Sequence, residues 1–83
     1  MSWFVYILLC EDGSLYTGST NNLEKRLEAH NSGKGGSYTR SHKPLKQIYY
    51  EELESKSDAL KREAQIKSWN RLKKIKNLNL KLI

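Results

Sequence analysis

The sequence is poor in the residues that mark secreted, membrane-spanning or metal-stapled proteins: its 83 residues hold one cysteine, one proline, one methionine and one phenylalanine. A lone Cys10 cannot close an intrachain disulfide, and no Cys/His spacing of a structural metal site occurs. A reducing, cytoplasmic setting is expected. The longest apolar run, WFVYILLC, covers eight residues, too short to span a bilayer, and it lacks the basic flank and small-residue cleavage site of a signal peptide. No membrane association is expected. A chain of this length has room for one core, so residues 1–83 read as a single domain, expected to act as a monomer.

Acid is missing from two stretches. Residues 1–66 carry nine charges of each sign and cancel, so the net +6 lies wholly in residues 67–83, which contain Lys67, Arg71, Lys73, Lys74, Lys76 and Lys81 and no Asp or Glu. The second acid-free stretch, Ala29 to Tyr50, carries Lys34, Arg40, Lys43 and Lys46. Two basic segments bracketing a neutral body are the footprint of a protein that meets a polyanion such as nucleic acid; a solvated tail kept for solubility is the plainer reading of the second one.

What is present is patterned. Trp3 to Cys10 is β-rich and apolar on both alternate faces, as in a central strand covered on both sides. Glu11-Asp12-Gly13 then turns the chain into a second strand, Ser14 to Ser19. Asn21 or Asn22 can cap a helix running to about Asn31. Ser32 to Pro44 holds three glycines and the proline, which excludes regular structure and makes the segment a candidate substrate contact. Gln47 to Leu53 reads as a third strand. Ser55 and Asp58 form a capping box for a helix to about Trp69, and a short basic helix from about Asn70 to Asn77 closes the chain. The class is α/β (α+β), with the first strand central and three helices flanking the sheet.

Helical phase exposes two anomalies. With Leu23 at zero and about 100° per residue, Leu27 lies at about 40°, Arg26 at about 300° and His30 at about 340°, whereas Glu24, Lys25 and Glu28 fall between about 100° and 200°. Arg26 and His30 thus occupy the arc that should face the sheet, where a snorkelling arginine or a satisfied core-edge histidine would each be unremarkable alone. On the later helix Ala59, Leu60, Ala64 and Ile66 define an apolar arc centred at about 310° from Leu60, and Glu63 lies at about 300°. A carboxylate there needs a cation. Arg26 and a metal ion are the two candidates.

The hairpin decides whether tyrosines join them. A two-residue Asp12-Gly13 loop would set Tyr6 and Tyr16 on opposite faces, whereas a three-residue loop with Gly13 left-handed would pair Tyr16 with Leu8 and bring Tyr6 onto the same face. Both turns suit Asp-Gly.

The series Phe4-Val5-Tyr6, Tyr16-Thr17-Gly18, Asn22-Leu23, Arg26-Leu27 and a distant helical Glu63 resembles the GIY-YIG nuclease domain. The resemblance covers essentially the whole chain and is strongest to short stand-alone bacterial members, which share stretches similar to VYILLC, DGSLYTGST, HNSGKGGSYTR and REAQIKSW. It implies a three-stranded antiparallel sheet flanked by helices, and phosphodiester cleavage with one divalent metal. By the same resemblance Tyr6 and Tyr16 match the motif tyrosines, Arg26 the motif arginine, His30 a position that is histidine or tyrosine in several branches, and Glu63 the metal ligand. Phe4 replaces the first motif glycine at a position expected to face away from the chemistry. Ser19 stands where excision-repair members carry lysine, and a family asparagine could map to Asn70, Asn77 or Asn79.

These readings combine into an expected metal-dependent endonuclease acting on DNA, structured or repair-associated, in preference to RNA, with a protein partner available for substrate choice. Glu63 would hold Mg²⁺ or Mn²⁺, which binds few protein carboxylates and keeps waters. Tyr6 would orient or deprotonate the attacking water, Arg26 would stabilise the phosphate, and Tyr16 and His30 would position it or relay protons. Free tyrosine, with a pKa of about 10, is only about 0.1 % phenolate at neutral pH, and a cation within about 4–6 Å could lower that pKa by roughly 1–3 units. Lys34, Tyr38, Arg40, Lys43, Arg71 and Lys74 would hold the nucleic-acid backbone. A binding module of the same fold without turnover, and an adaptor for an acidic protein, are the alternatives from other classes.

Overall fold

The structure, a computed structural model, describes residues 2–32 and 42–81. The elements run β1 (Trp3–Cys10), β2 (Leu15–Thr20), α1 (Leu23–Asn31), β3 (Pro44–Leu53), α2 (Lys56–Lys67) and α3 (Arg71–Leu78). The sheet is antiparallel in the order β2-β1-β3, so the strand apolar on both faces is the central one. From Val5 to Cys10 every β1 residue is buried, which explains why that run carries no alternation.

The hairpin uses the three-residue loop. Gly13 has φ +85, its N–H donates to the Cys10 carbonyl at 2.9 Å, and Cys10 N–H donates to the Ser14 carbonyl at 2.9 Å. The resulting register pairs Tyr6 with Gly18 and Leu8 with Tyr16. Side chains alternate across a strand, so Tyr6, Tyr16 and Gly18 share one face.

Each helix begins on a side-chain cap. Asn22 Oδ1 accepts from Lys25 N–H at 3.0 Å, Ser55 Oγ from Asp58 N–H at 3.1 Å, and Asn70 Oδ1 from Lys73 N–H at 2.8 Å. Asn79, left-handed at φ 52, terminates α3. Two of the three asparagines that could have matched a site position, Asn70 and Asn79, are therefore helix caps. β3 begins at Pro44, three residues earlier than the pattern predicts, because Leu45 and Lys46 are exposed residues of an edge strand that carry no apolar signal of the kind Gln47 to Leu53 gives.

The core lies on the β1 face that carries Val5 and Ile7, where Ala59 and Ile66 of α2 and Leu80 cover the sheet. Trp3, Leu15, Tyr49, Leu53, Trp69 and Ile75 pack around them. Beside this core the Tyr49 hydroxyl donates to Glu51, which also takes a 2.7 Å ion pair from Arg62 Nε. The other face carries α1, whose one fully buried side chain is His30.

Gly13→Ala is expected to weaken the fold by about 1–2 kcal/mol, because a side chain there meets no neighbour but must hold a left-handed conformation. Urea melts of the two chains check it, and Gly13→Asn is expected to cost less.

Candidate active site

The α1 face of the sheet holds tyrosines where a structural domain would place leucine. The Tyr6 ring is fully buried, and its hydroxyl makes a 2.8 Å hydrogen bond with His30 Nε2. Tyr6 and Tyr16 have ring centroids 6.3 Å apart, and His30 meets Tyr16 edge-on at 5.1 Å. His30 is 1 % exposed and Arg26 half-buried, while Glu24, Lys25 and Glu28 are exposed, so the phase that turned Arg26 and His30 inward is the phase found.

The close packing needs Gly18. A Cβ there would stand 2.6 Å from Tyr6 Oη, 2.8 Å from its Cζ and 3.0 Å from Tyr16 Cε2. The Tyr6 ring rests on bare backbone, which lets its hydroxyl reach across to α1.

Electrostatics set the protonation states. Burial pushes the Tyr6 hydroxyl up to about 12, and the opposing hydrogen-bonding and charge interaction with Arg26 is too weak to reverse it; Tyr16 and Glu63 add to the rise. This corrects the expectation that Arg26 would draw Tyr6 toward the phenolate: desolvation of a fully buried ring outweighs one half-buried cation. His30 moves the other way, lowered by burial and then by the Arg26 charge, so its imidazole is neutral at neutral pH. Interaction with the Tyr6 hydroxyl, ahead of that with Tyr16, keeps Arg26 firmly charged.

Glu63 reaches the sheet from the other layer. Ser19, next to Gly18 and facing α2, donates its Oγ to Glu63 Oε1 at 2.5 Å, and Lys67 Nζ pairs with Oε2 at 2.7 Å. The pairing with Arg26 weighed from sequence is not the one adopted: Glu63 uses the lysine one turn along its own helix. Its side chain is 17 % exposed rather than central in the buried stripe. The stripe is centred on Ala59 and Ile66, at about 250° from Leu60 instead of about 310°. Leu60 and Ala64, counted as inward, are exposed, and Arg62 and Glu63 flank the true stripe on either side.

Phe4 also departs from expectation, because it does not face away from Tyr6. It lies two residues from Tyr6, hence on the same face, and packs against Tyr50 at a centroid distance of 6.3 Å. Beside α1 a cleft of about 190 Å³ is lined by Thr20, Asn21, Asn22, Lys25, Arg26 and Ala29.

Of the proposed backbone-holding residues, Lys34, Tyr38 and Arg40 lie outside the described residues. Lys43 is exposed, and its carbonyl accepts from Glu11 N–H at 2.8 Å. Arg71 donates to the Gly13 carbonyl at the hairpin turn, away from Tyr6. Lys74 is half-buried, its pKa lowered by burial and by neighbouring Lys67. Sequence reading missed Ser19, Lys67 and Lys25; the spacing of Glu63 and Lys67, four residues on one helix, was the available signal for the second.

The model of the GIY-YIG catalytic domain matches residues 2–77. The UPF0213 protein of Staphylococcus saprophyticus is 48 % identical over 88 % of this chain and 89 % of its own. That of Clostridium perfringens is 51 % identical over 96 % of this chain and 86 % of its own. Two solution NMR structures align over 95 % of this chain and 84 % of theirs: a UPF0213 protein of Bacillus halodurans, 39 % identical with a TM-score of 0.62, and a protein of E. faecalis, 41 % identical with a TM-score of 0.66. The chain belongs to the GIY-YIG family, a family of nuclease domains, in a short form similar to the UPF0213 proteins. Among the described residues no helix is long and apolar enough to cross a membrane.

Gly18→Ala is expected to push the Tyr6 ring off its seat, costing about 1–3 kcal/mol and breaking the bond to His30. A denaturation series reports the first effect. An upward move of the His30 pKa toward its ordinary value, followed by NMR, reports the second.

Proposed function

We propose that this protein is a divalent-metal-dependent endonuclease that cuts DNA, structured or repair-associated, in preference to RNA, acting in the cytoplasm as a monomer with a protein partner for substrate choice. The observation that carries the reading is the meeting of Tyr6, Tyr16, Arg26 and His30 around the bare backbone of Gly18.

The donor chemistry at Glu63 fits Mg²⁺ or Mn²⁺. One carboxylate with its Oε1 fixed by Ser19 suits an ion that keeps several waters and shares phosphate oxygens, and half-exposed Lys67 is the arm that would give way. Among the described residues no three acidic, histidine or cysteine side chains cluster, and Glu63 is the carboxylate that would hold the ion. When bound, such an ion supplies Lewis-acid stabilisation of charge on the phosphate.

The protein groups divide the remaining work. A hydroxyl with a pKa of about 12 is not a standing base, and in this structure Tyr6 is fully buried, so Tyr6 acts as a relay once substrate binding opens its hydroxyl to the site: its Oη takes the proton of the attacking water while its own proton passes to His30 Nε2. Neutral His30 can receive that proton. Arg26 stabilises charge building on the phosphorane oxygens, and Tyr16 holds the phosphate in place. Lys43 and Lys74, with Lys34, Tyr38 and Arg40, hold the nucleic-acid backbone; Arg71 joins them on leaving the Gly13 carbonyl.

A panel of labelled DNA and RNA structures, incubated with and without Mg²⁺, tests the reading. Glu63→Gln is expected to abolish metal-dependent cleavage while leaving nucleic-acid binding intact and stability within about 1 kcal/mol, since the ion pair lost is partly exposed. Binding without cleavage of any substrate under every metal condition would leave the non-catalytic module as the function.

His30 gives the relay a pH signature. Its folded pKa lies below its ordinary value of 6.5, so the unfolded chain takes up the proton first as the pH falls. Stability present at neutral pH is therefore lost below about 6.5 and down through the folded pKa, at no more than about 1.4 kcal/mol per pH unit from this one group. Urea melts between about pH 5 and 7.5 are expected to show a shallower acid loss in His30→Gln. Cleavage by the wild type should fall over the same acid range as the imidazole charges.

A further inference from the structure

The aromatic side chains of the α1 face do not all serve the buried cluster. Tyr50, on edge strand β3, pairs directly with Tyr6 across the sheet, so the two stand on one face. Yet Tyr6 is fully buried and Tyr50 is 57 % exposed, the one aromatic among the large exposed apolar side chains described. Phe4 supports it from the side, with centroids 6.3 Å apart and planes inclined at 58°. The Tyr50 hydroxyl makes no hydrogen bond among the described residues, whereas those of Tyr6 and Tyr49 are engaged by His30 and Glu51. The fold thus holds a braced, solvent-facing ring one strand away from the tyrosine proposed to handle the proton.

We propose that the Phe4–Tyr50 pair is a stacking platform for one unpaired nucleobase of the strand cut at Tyr6. This rests on the nuclease reading and narrows it to a substrate class. Directly opposed residues on neighbouring strands lie about 4.5–5.5 Å apart at Cβ, so a phosphate held beside Tyr6 places a base of its own or the next nucleotide within reach of the Tyr50 ring. A base paired inside a duplex is already stacked on both sides and cannot offer its face, whereas a base in a single strand, flap or loop can. The charge around the pair favours a base over a phosphate. Glu52 lies opposite Phe4 on the same face, where it would repel a phosphate but can accept from an exocyclic amine. The basic cleft with Lys25 and Arg26 lies beside α1, leaving the backbone a separate place to run. DNA and RNA offer the same base face, so the platform selects for an unpaired base whichever sugar carries it.

The test uses the full chain in EDTA, where metal-dependent cutting is absent, with 2-aminopurine placed in a single strand, at the foot of a flap, and within a perfect duplex, each as DNA and as RNA. Wild type is expected to quench the unpaired probes on binding. Tyr50→Ala is expected to weaken binding of the single strand and flap by about 5- to 150-fold, the effect of losing one stacked base, and to change duplex affinity less than about twofold. Tyr50→Phe should retain both quenching and affinity, and matched thermal melts of all three chains exclude unfolding. Equal losses on paired and unpaired probes, or no loss on either, would overturn the platform while leaving the nuclease reading standing if Mg²⁺-dependent cleavage persists. A wild type that binds none of the six probes would overturn both.

Discussion

The structure turns on the conformation of one glycine in the first hairpin. Because side chains alternate along a strand, a slip of one residue in the pairing of β1 and β2 would send Tyr16 and Gly18 to the opposite face from Tyr6. The left-handed Gly13 fixes a three-residue loop and hence the pairing of Tyr6 with Gly18. From that register follow the seat of the Tyr6 ring on bare backbone, the contact of both tyrosines with His30, and the turn of Ser19 toward α2, where it finds Glu63. A turn at the far end of the hairpin thereby assembles the cluster of Tyr6, Tyr16 and His30.

Burial and charge compete at Tyr6, and burial wins. The Arg26 guanidinium favours the phenolate, but the ring lies between the sheet and α1, and its pKa rises to about 12. The same low-dielectric surroundings, with Arg26 now acting in the same direction as burial, keep His30 neutral. One environment therefore keeps the phenol protonated and the imidazole neutral, with the two in hydrogen-bond contact at 2.8 Å. In the proposed relay, a tyrosine coupled to a neutral histidine exchanges one proton for another without resting as an anion.

Much of this was legible in the sequence because the inward arc of α1 is set by simple periodicity, and Arg26 and His30 violate the rule for that arc. The strands, their order and the capped helices follow from alternation, Asp-Gly and Asn or Ser caps, each a local signal. What escaped depended on tertiary distances. The α2 stripe lies about 60° from the arc that periodicity predicts, because Leu60 and Ala64 are apolar yet exposed, and apolar residues on a surface helix are ordinary. Glu63 found Lys67 rather than Arg26 because a lysine one turn away is closer than a cation on another element. The direction of the Tyr6 pKa needed the depth of burial, which no pattern of residue types supplies. Phe4 shares the face of Tyr6 because the two lie two residues apart on one strand.

The two faces of the sheet are built on different terms. On the α2 face the contacts are aliphatic and aromatic, with Val5, Ile7, Ala59 and Ile66 enclosed. On the α1 face the one helix residue fully buried is a histidine, and it is held by a hydrogen bond to a buried phenol. An unpaired imidazole or hydroxyl there would carry the whole cost of its desolvation, so the bond between them does for α1 what the burial of Ala59 and Ile66 does for α2. The groups proposed for proton transfer are thus the groups that dock the helix. This explains why the site could be seen in sequence at all: Arg26 and His30 are polar residues on an inward arc, and their polarity marks it.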